Sequence, residues 1–368
     1  MSTMDFLPAP TVQAHAANLM PLPGGDLGCV WFGGTQEGMP DISIWFSRLA
    51  GGAWSPPVRL SDDGARSEQN PVLFPAPGGE LWLLHTAQRA GDQDTAEVRT
   101  RVSADGGATW GPVRTLIPAD RGGGVFVRQP VVVLEDRWLL PAFRCSRPAI
   151  GKWTGDHDTS ALYVSRDRGR TWRPREIPGS TGLVHMNVVP LPGGTLLALF
   201  RSRRADRVHA SRSEDGGRTW SVPEPTALPN NNSSIQATRL ADGRIALVFN
   251  HSSRADATER RTSLYDEIEG HGGSEGHGAS VGTAFWGAPR APLTLALSSD
   301  GGRSWPWRRD LETGDGYCMS NNSRDGLNRE LSYPSIAQTA DGSLHVAYTH
   351  HRKAIKHIRI TAEEIETV

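Results

Sequence analysis

The chain reads as an all-β protein, a single six-bladed β-propeller domain spanning residues 1–368, and three observations carry that reading. A short pattern, Ser-x-Asp-x-Gly-x-x-Trp, recurs four times: Ser103-Asp105-Gly107-Trp110, Ser165-Asp167-Gly169-Trp172, Ser213-Asp215-Gly217-Trp220 and Ser298-Asp300-Gly302-Trp305. A strand, a tight turn and a second strand recur six times, and 41 Gly with 26 Pro suit so many turns. Repeats spaced by tens of residues mark an array of similar supersecondary units.

The units follow in order. The first runs over residues 21–32 around Gly24-Gly25, the second over 72–86 around Gly78-Gly79, and the third over 131–144 around Asp136-Arg137. The fourth covers 188–201 around Gly193-Gly194, the fifth 237–250 around Asp242-Gly243, and the sixth 336–349 around Asp341-Gly342. Each of the first five leads into a third strand and a box, such as 97–103 or 293–298, giving four antiparallel strands per blade. The first box, Ser47-Leu49-Gly51-Trp54, has Leu in place of Asp, which predicts a looser turn. The sixth unit ends in one strand, 354–361, so residues 5–12 are expected to supply its missing outer strand and close the ring.

Turn chemistry explains the boxes. Asp accepts backbone N–H groups across the turn, Gly permits positive φ, and Trp opens the return strand and packs over the hairpin. The boxes and the tight turns share one rim, so function belongs on the opposite one. That rim also receives the longest insertion, residues 252–291 of blade five, with Tyr265, Asp266, Glu267, Glu269, His271, His277 and Trp286, expected to be a lid.

Aligning the inner strands at their turns gives a mostly polar column near the axis: Ala16, Asn70, Arg128, His185, Ser234 and Tyr333. Polar side chains that converge there line a pocket rather than a packed core. The exits of the second strands add Arg144, Arg201 and Asn250, with His85 one position earlier in blade two. Arg128, Arg144 and Arg201 together predict an anion site, because guanidinium forks match carboxylates bidentately. Asn70, Gln129 and Asn250 are further substrate-binding candidates.

A net charge of −1 argues against a nucleic-acid or anionic-membrane partner, since such binding needs a basic face. No run of 18 apolar residues and no leader pattern occurs, so a soluble chain without a signal peptide is expected. Cys29, Cys145 and Cys318 are few and widely spaced, which predicts neither disulfides nor a zinc site, and a cytoplasmic location. No metal or other cofactor is expected, and no residue pattern specifies an oligomer.

The boxes resemble the Asp-boxes of BNR-repeat proteins, and six such blades resemble the fold of the sialidase/neuraminidase-like superfamily over residues 18–360. That resemblance implies three arginines clamping a substrate carboxylate, a tyrosine nucleophile paired with a glutamate, and an aspartate acid/base. Tyr333, in Ser-Tyr-Pro-Ser-Ile, is similar to the nucleophile segment, and Arg201, in Leu-Phe-Arg, is similar to a clamp arginine; Arg128 and Arg144 match by position alone. Three departures stand beside these matches. No Arg-Ile-Pro segment lies near the N-terminus, His185 stands where the glutamate is expected, and the acid/base is open among Glu37, Asp41, Asp62 and Asp63. Glu330 is the carboxylate nearest Tyr333 in sequence.

The resemblance implies an exo-acting glycoside hydrolase that removes a terminal acidic sugar by a retaining mechanism, with Tyr333 as nucleophile and Glu330 or His185 activating it. Two alternatives stay open. His85 and His185 suit proton abstraction beside a uronate carboxylate, as in a lyase or another glycosidase of uronate- or rhamnose-containing glycans, and a non-catalytic glycan-binding propeller needs neither chemistry.

Overall fold

The computed structural model describes residues 3–261, 264 and 283–366, and its strands form six antiparallel sheets arranged as propeller blades. Their inner strands are Gln13–Pro21, Ser67–Pro75, Gly123–Val127, Leu183–Pro190, Gln236–Arg239 and Leu331–Gln338. Blade three's inner edge resumes at Val132–Leu134 after a break across Arg128-Gln129-Pro130, where proline removes a ladder donor. Blade one's outer edge is split in the same way, Ala53–Trp54 and Val58–Arg59, by Pro56-Pro57.

Thr3–Phe6 pairs antiparallel with Ala354–Ile360, Thr3 opposite Arg359 and Phe6 opposite Lys356, and becomes the outer strand of blade six. The closing segment therefore ends earlier than residues 5–12 suggested. Residues 7–12 instead run inward as a connector, with Leu7 buried against blade six. Burial is organised the same way all round: each neighbouring pair of blades encloses one apolar cluster, such as Leu73 and Leu83 against Ile42 and Ile44. Alternating strands place one face of each sheet against the next blade, so the core is a ring of layers around the axis.

The boxes are closed turns. Ser103 Oγ donates to Asp105 Oδ1 at 2.7 Å and accepts Gly107 N–H at 2.7 Å, while Asp105 accepts the Thr109 amide at 2.8 Å. Asp167, Asp215 and Asp300 repeat this set. The tryptophans precede the outer strands rather than opening them: those strands begin at Arg114, Arg173, Glu224 and Trp307. Blade one differs from expectation, because its turn is tighter. Gly51 and Gly52, at φ +59° and +84°, make a two-residue hairpin with Ala50 opposite Ala53, so the ladder replaces the missing aspartate.

The aligned column marks a shared backbone feature. Ala16, Asn70, His185 and Tyr333 all have positive φ, between +50° and +60°, and each sits where the inner strand shifts register against the second strand. Such a bulge re-aims side chains at the rim of a sheet.

Candidate active site

Tyr333 occupies the blade-six bulge, is 7% exposed, and has its ring enclosed by cations and imidazoles. Arg201 Nη1 donates to its hydroxyl at 2.7 Å. The guanidinium carbons of Arg128, Arg201 and Arg290 lie 5.5, 5.6 and 5.7 Å from the ring centroid. The His15 ring is tilted against it at 4.3 Å and the His185 ring meets it edge-on at 5.6 Å.

The charges are unevenly balanced. Arg352 pairs with Glu37 at 2.5 Å and with Glu330 at 3.0 Å; Arg290 shares Glu330 at 3.3 Å. Arg203 takes Asp158 at 2.7 Å within an aromatic cage of Phe143, Trp153 and Trp286. Arg128 and Arg201 face no carboxylate among the described residues, although both are 1% exposed. Burial pulls each down to about 10, with Tyr333 opposing that shift, which leaves both cationic at neutral pH. Buried cations without a counter-ion favour an anionic ligand that brings one.

The two imidazoles are neutral. Burial first, then Arg201 and Arg203, holds His185 well below the ordinary histidine range; burial, then Arg352 and Arg290, does the same to His15. Burial opposes the charge of Glu330, but Arg352 and Arg290 outweigh it and keep the carboxyl ionised. The site thus combines a phenol held by a guanidinium, an anion-deficient cluster of arginines and imidazoles able to accept protons.

The sequence matches the BNR repeat-like domain over residues 25–346. The chain belongs to the BNR repeat-like family. No curated protein matches this BNR-repeat chain. Among solved structures it is similar to a Hadza microbial sialidase, at 16% identity and a TM-score of 0.67, covering 96% of this chain and 66% of that one, just under two thirds. A protein of unknown function from Dyadobacter fermentans aligns at 16% identity and a TM-score of 0.70, over 97% of each chain. The intramolecular trans-sialidase from Ruminococcus gnavus, solved with oseltamivir carboxylate, aligns at 12% and 0.67, over 99% of this chain and 98% of its own. At these identities the likeness shows the fold.

The BNR-repeat chain gathers part of the sequence-derived set. Tyr333, Arg201, His185 and Arg128 meet at the axis, and Glu330 joins them through Arg290 and Arg352. Arg128 also ties blades together, donating to the carbonyls of Ala17, Tyr333 and Pro334. The others are engaged elsewhere. Arg144 binds Asp120 at 2.6 Å, and His85 binds Glu68 at 3.0 Å. Gln129 and Asn250 bond the carbonyls of Ile235 and Leu331 across blades. Asn70 holds the equivalent bulge in blade two.

Alignment of the repeats missed Arg290, Arg352 and His15. Arg352 lies just past the second-strand exit of blade six, so extending the column would have reached it. Arg290 belongs to the insertion and has no repeat-related counterpart. His15 neighbours the column at Ala16, and the bulge turns it toward Tyr333. Of the four loop carboxylates, Glu37 reaches the buried cluster, whereas Asp41 caps its own loop by accepting Thr35 N–H at 2.8 Å. In the insertion, Trp286 stands 6.0 Å from Arg201, and Tyr265, Asp266, Glu267, Glu269, His271 and His277 lie outside the described residues.

Proposed function

We propose that this protein is a retaining exo-glycosidase acting on a terminal acidic sugar, sialic acid or a related acid, at the Tyr333 site. One observation carries the reading: Arg201 donates to the Tyr333 hydroxyl at 2.7 Å inside a buried cluster that holds more guanidinium than carboxylate charge. A phenol is a weak nucleophile at its ordinary pKa near 10, and a donating cation stabilises the phenolate that attacks.

In this reading the sugar carboxylate neutralises Arg201 with Arg128 or Arg290, which sets the anomeric carbon over Tyr333. The phenolic proton passes to Nε2 of the neutral His185, the nitrogen that faces Arg201 Nη1 at 3.4 Å. The phenolate attacks the anomeric carbon as the glycosidic bond breaks and the His185 proton passes to the leaving oxygen; water then displaces Tyr333, its hydroxyl going to the sugar and its proton to the departing phenolate. Trp286 and its segment of the insertion supply the cover that excludes bulk water during these steps.

The test is product analysis against sialosides and uronate-bearing oligosaccharides. Hydrolysis with retained configuration, lost in Tyr333→Phe while binding persists, is expected, and a fluorinated substrate analogue should leave an adduct on Tyr333. The neutral imidazoles favour proton abstraction as the second reading. An unsaturated, ultraviolet-absorbing product with no adduct would establish the lyase instead, and binding without turnover would establish a glycan-binding propeller.

A further inference from the structure

Between the outer strand of blade four, Glu224–Pro229, and the inner strand of blade five stand three consecutive asparagines, Asn230, Asn231 and Asn232, all buried. Each side chain bonds a different part of the molecule. Asn230 Oδ1 accepts the Ser202 amide at 2.9 Å, and Asn231 Nδ2 donates to the Pro289 carbonyl at 2.8 Å. Asn232 does two things at once: its Oδ1 accepts Arg201 Nε–H at 2.8 Å, and its Nδ2 donates to the Phe285 carbonyl at 2.8 Å.

Those two bonds join the reactive pair to the insertion. The guanidinium is planar, so holding Nε fixes the direction in which Nη1 meets the Tyr333 hydroxyl. On the other side, residues 284–286 are docked from several directions. Ala284 N–H donates to Asp156 Oδ1 at 2.5 Å, Phe285 N–H to the Arg203 carbonyl at 2.7 Å, and Trp286 Nε1–H to the Thr154 carbonyl at 3.3 Å. Asn232 has a φ of +58°, a conformation asparagine tolerates better than most residues and glycine adopts freely.

We propose that Asn232 is a positioning residue that couples the docking of residues 284–286 to the orientation of Arg201, and through Arg201 to Tyr333. This rests on the reading of Arg201 and Tyr333 as the groups that meet substrate. Coupling of this kind is reciprocal: whatever loosens the insertion misorients Arg201, and whatever frees Arg201 loosens the insertion.

Two measurements on the full chain test it. The first is amide hydrogen exchange over residues 283–289, which needs no substrate. Asn232→Gly removes the side chain while keeping the backbone conformation, and should raise exchange there about tenfold, the worth of one hydrogen bond. Arg201→Met should raise it as well, and the double variant should exchange no faster than Asn232→Gly alone. Unchanged protection in Arg201→Met, or effects that multiply in the double variant, overturns the coupling.

The second measurement is turnover of whichever sialoside or uronate glycoside the wild-type chain hydrolyses. Asp156→Ala, at a residue whose carboxylate accepts the Ala284 amide and the Thr154 hydroxyl, should lower kcat severalfold with little change in KM, and should add nothing in the Asn232→Gly background; additive losses overturn the proposal. A wild-type chain that cleaves none of these substrates fails the functional reading alone, and the exchange data still decide the coupling.

Discussion

Arg201 is the residue on which the proposed chemistry turns, because it is buried, paired with no carboxylate among the described residues, and bonded to both Tyr333 and Asn232. Arg201→Lys keeps a charge but loses the fork, so capture of an acidic sugar should weaken by at least about tenfold, read as a rise in KM or Kd, with the fold retained. Away from the site, His345 and His357 stack in blade six, ring centroids 5.1 Å apart, with Nδ1 and Nε2 separated by 2.9 Å. Burial, then Arg359, brings His345 down to about 4; burial, then His345, brings His357 down to about 3. In the unfolded chain both titrate near ~6.5, so below that pH the unfolded state binds protons the native state refuses. Stability should therefore be complete above the unfolded value and fall as pH drops from about 6.5 toward 4 and 3, by about 1.4 kcal/mol per pH unit for each histidine. Urea unfolding at stepped pH measures the slope, and His345→Gln should remove one histidine's share.

At the scale of the element, the box is a turn that satisfies itself. Asp300 accepts the amides of Arg303 and Ser304, both at 2.9 Å, and receives the hydroxyl of Ser298, so Asp300→Ala should lower the unfolding midpoint while activity per folded molecule stays unchanged. Gly302 is stricter still. It has a φ of +82°, and an added Cβ would stand 2.6 Å from Leu197 Cδ2 on the neighbouring blade, so Gly302→Ala combines about 1–2 kcal/mol of backbone cost with an interblade clash. Thermal melts of the two variants should rank Gly302→Ala as the worse. The first-blade turn teaches the complementary point. Leu49 at the aspartate position read as a defect, but the adjacent Gly51-Gly52 allows a two-residue hairpin in which backbone pairing does the same work.

For the whole molecule, closure is the decisive contact. Thr3–Phe6 lies on Ala354–Ile360 and joins the two ends of the described chain, covering an edge that would otherwise offer unpaired N–H and C=O groups. Deleting residues 1–6 should lower the melting temperature and promote concentration-dependent association, measurable by calorimetry and light scattering. An unchanged melting point would mean that the six interblade clusters suffice to hold the ring.

The architecture was legible because it repeats. Box spacing, tight turns and strand alternation are local signals, and local physics decides them: which residues take positive φ, which side chains bond their own turn, where a proline interrupts a ladder. The column through Ala16, Asn70, His185 and Tyr333 was legible for the same reason, since one backbone bulge recurs at each of those positions. The site itself was only half legible. Arg128, His185 and Tyr333 hold equivalent inner-strand positions in blades three, four and six, and Arg201 ends the second strand of blade four, so alignment of the repeats finds them. Arg290 sits in a non-repeating insertion, Glu37 and Arg352 lie in loops beyond the aligned strands, and Arg144 shares the second-strand exit position of Arg201 yet points to Asp120. Which arginines are left without a counter-ion depends on which carboxylates the closed ring brings near them. The sequence by itself determined the propeller, its repeats and the residues that line its axis; only the tertiary structure decided the pairing of buried charges, because that pairing is a long-range Coulomb and desolvation balance among blades far apart in the chain.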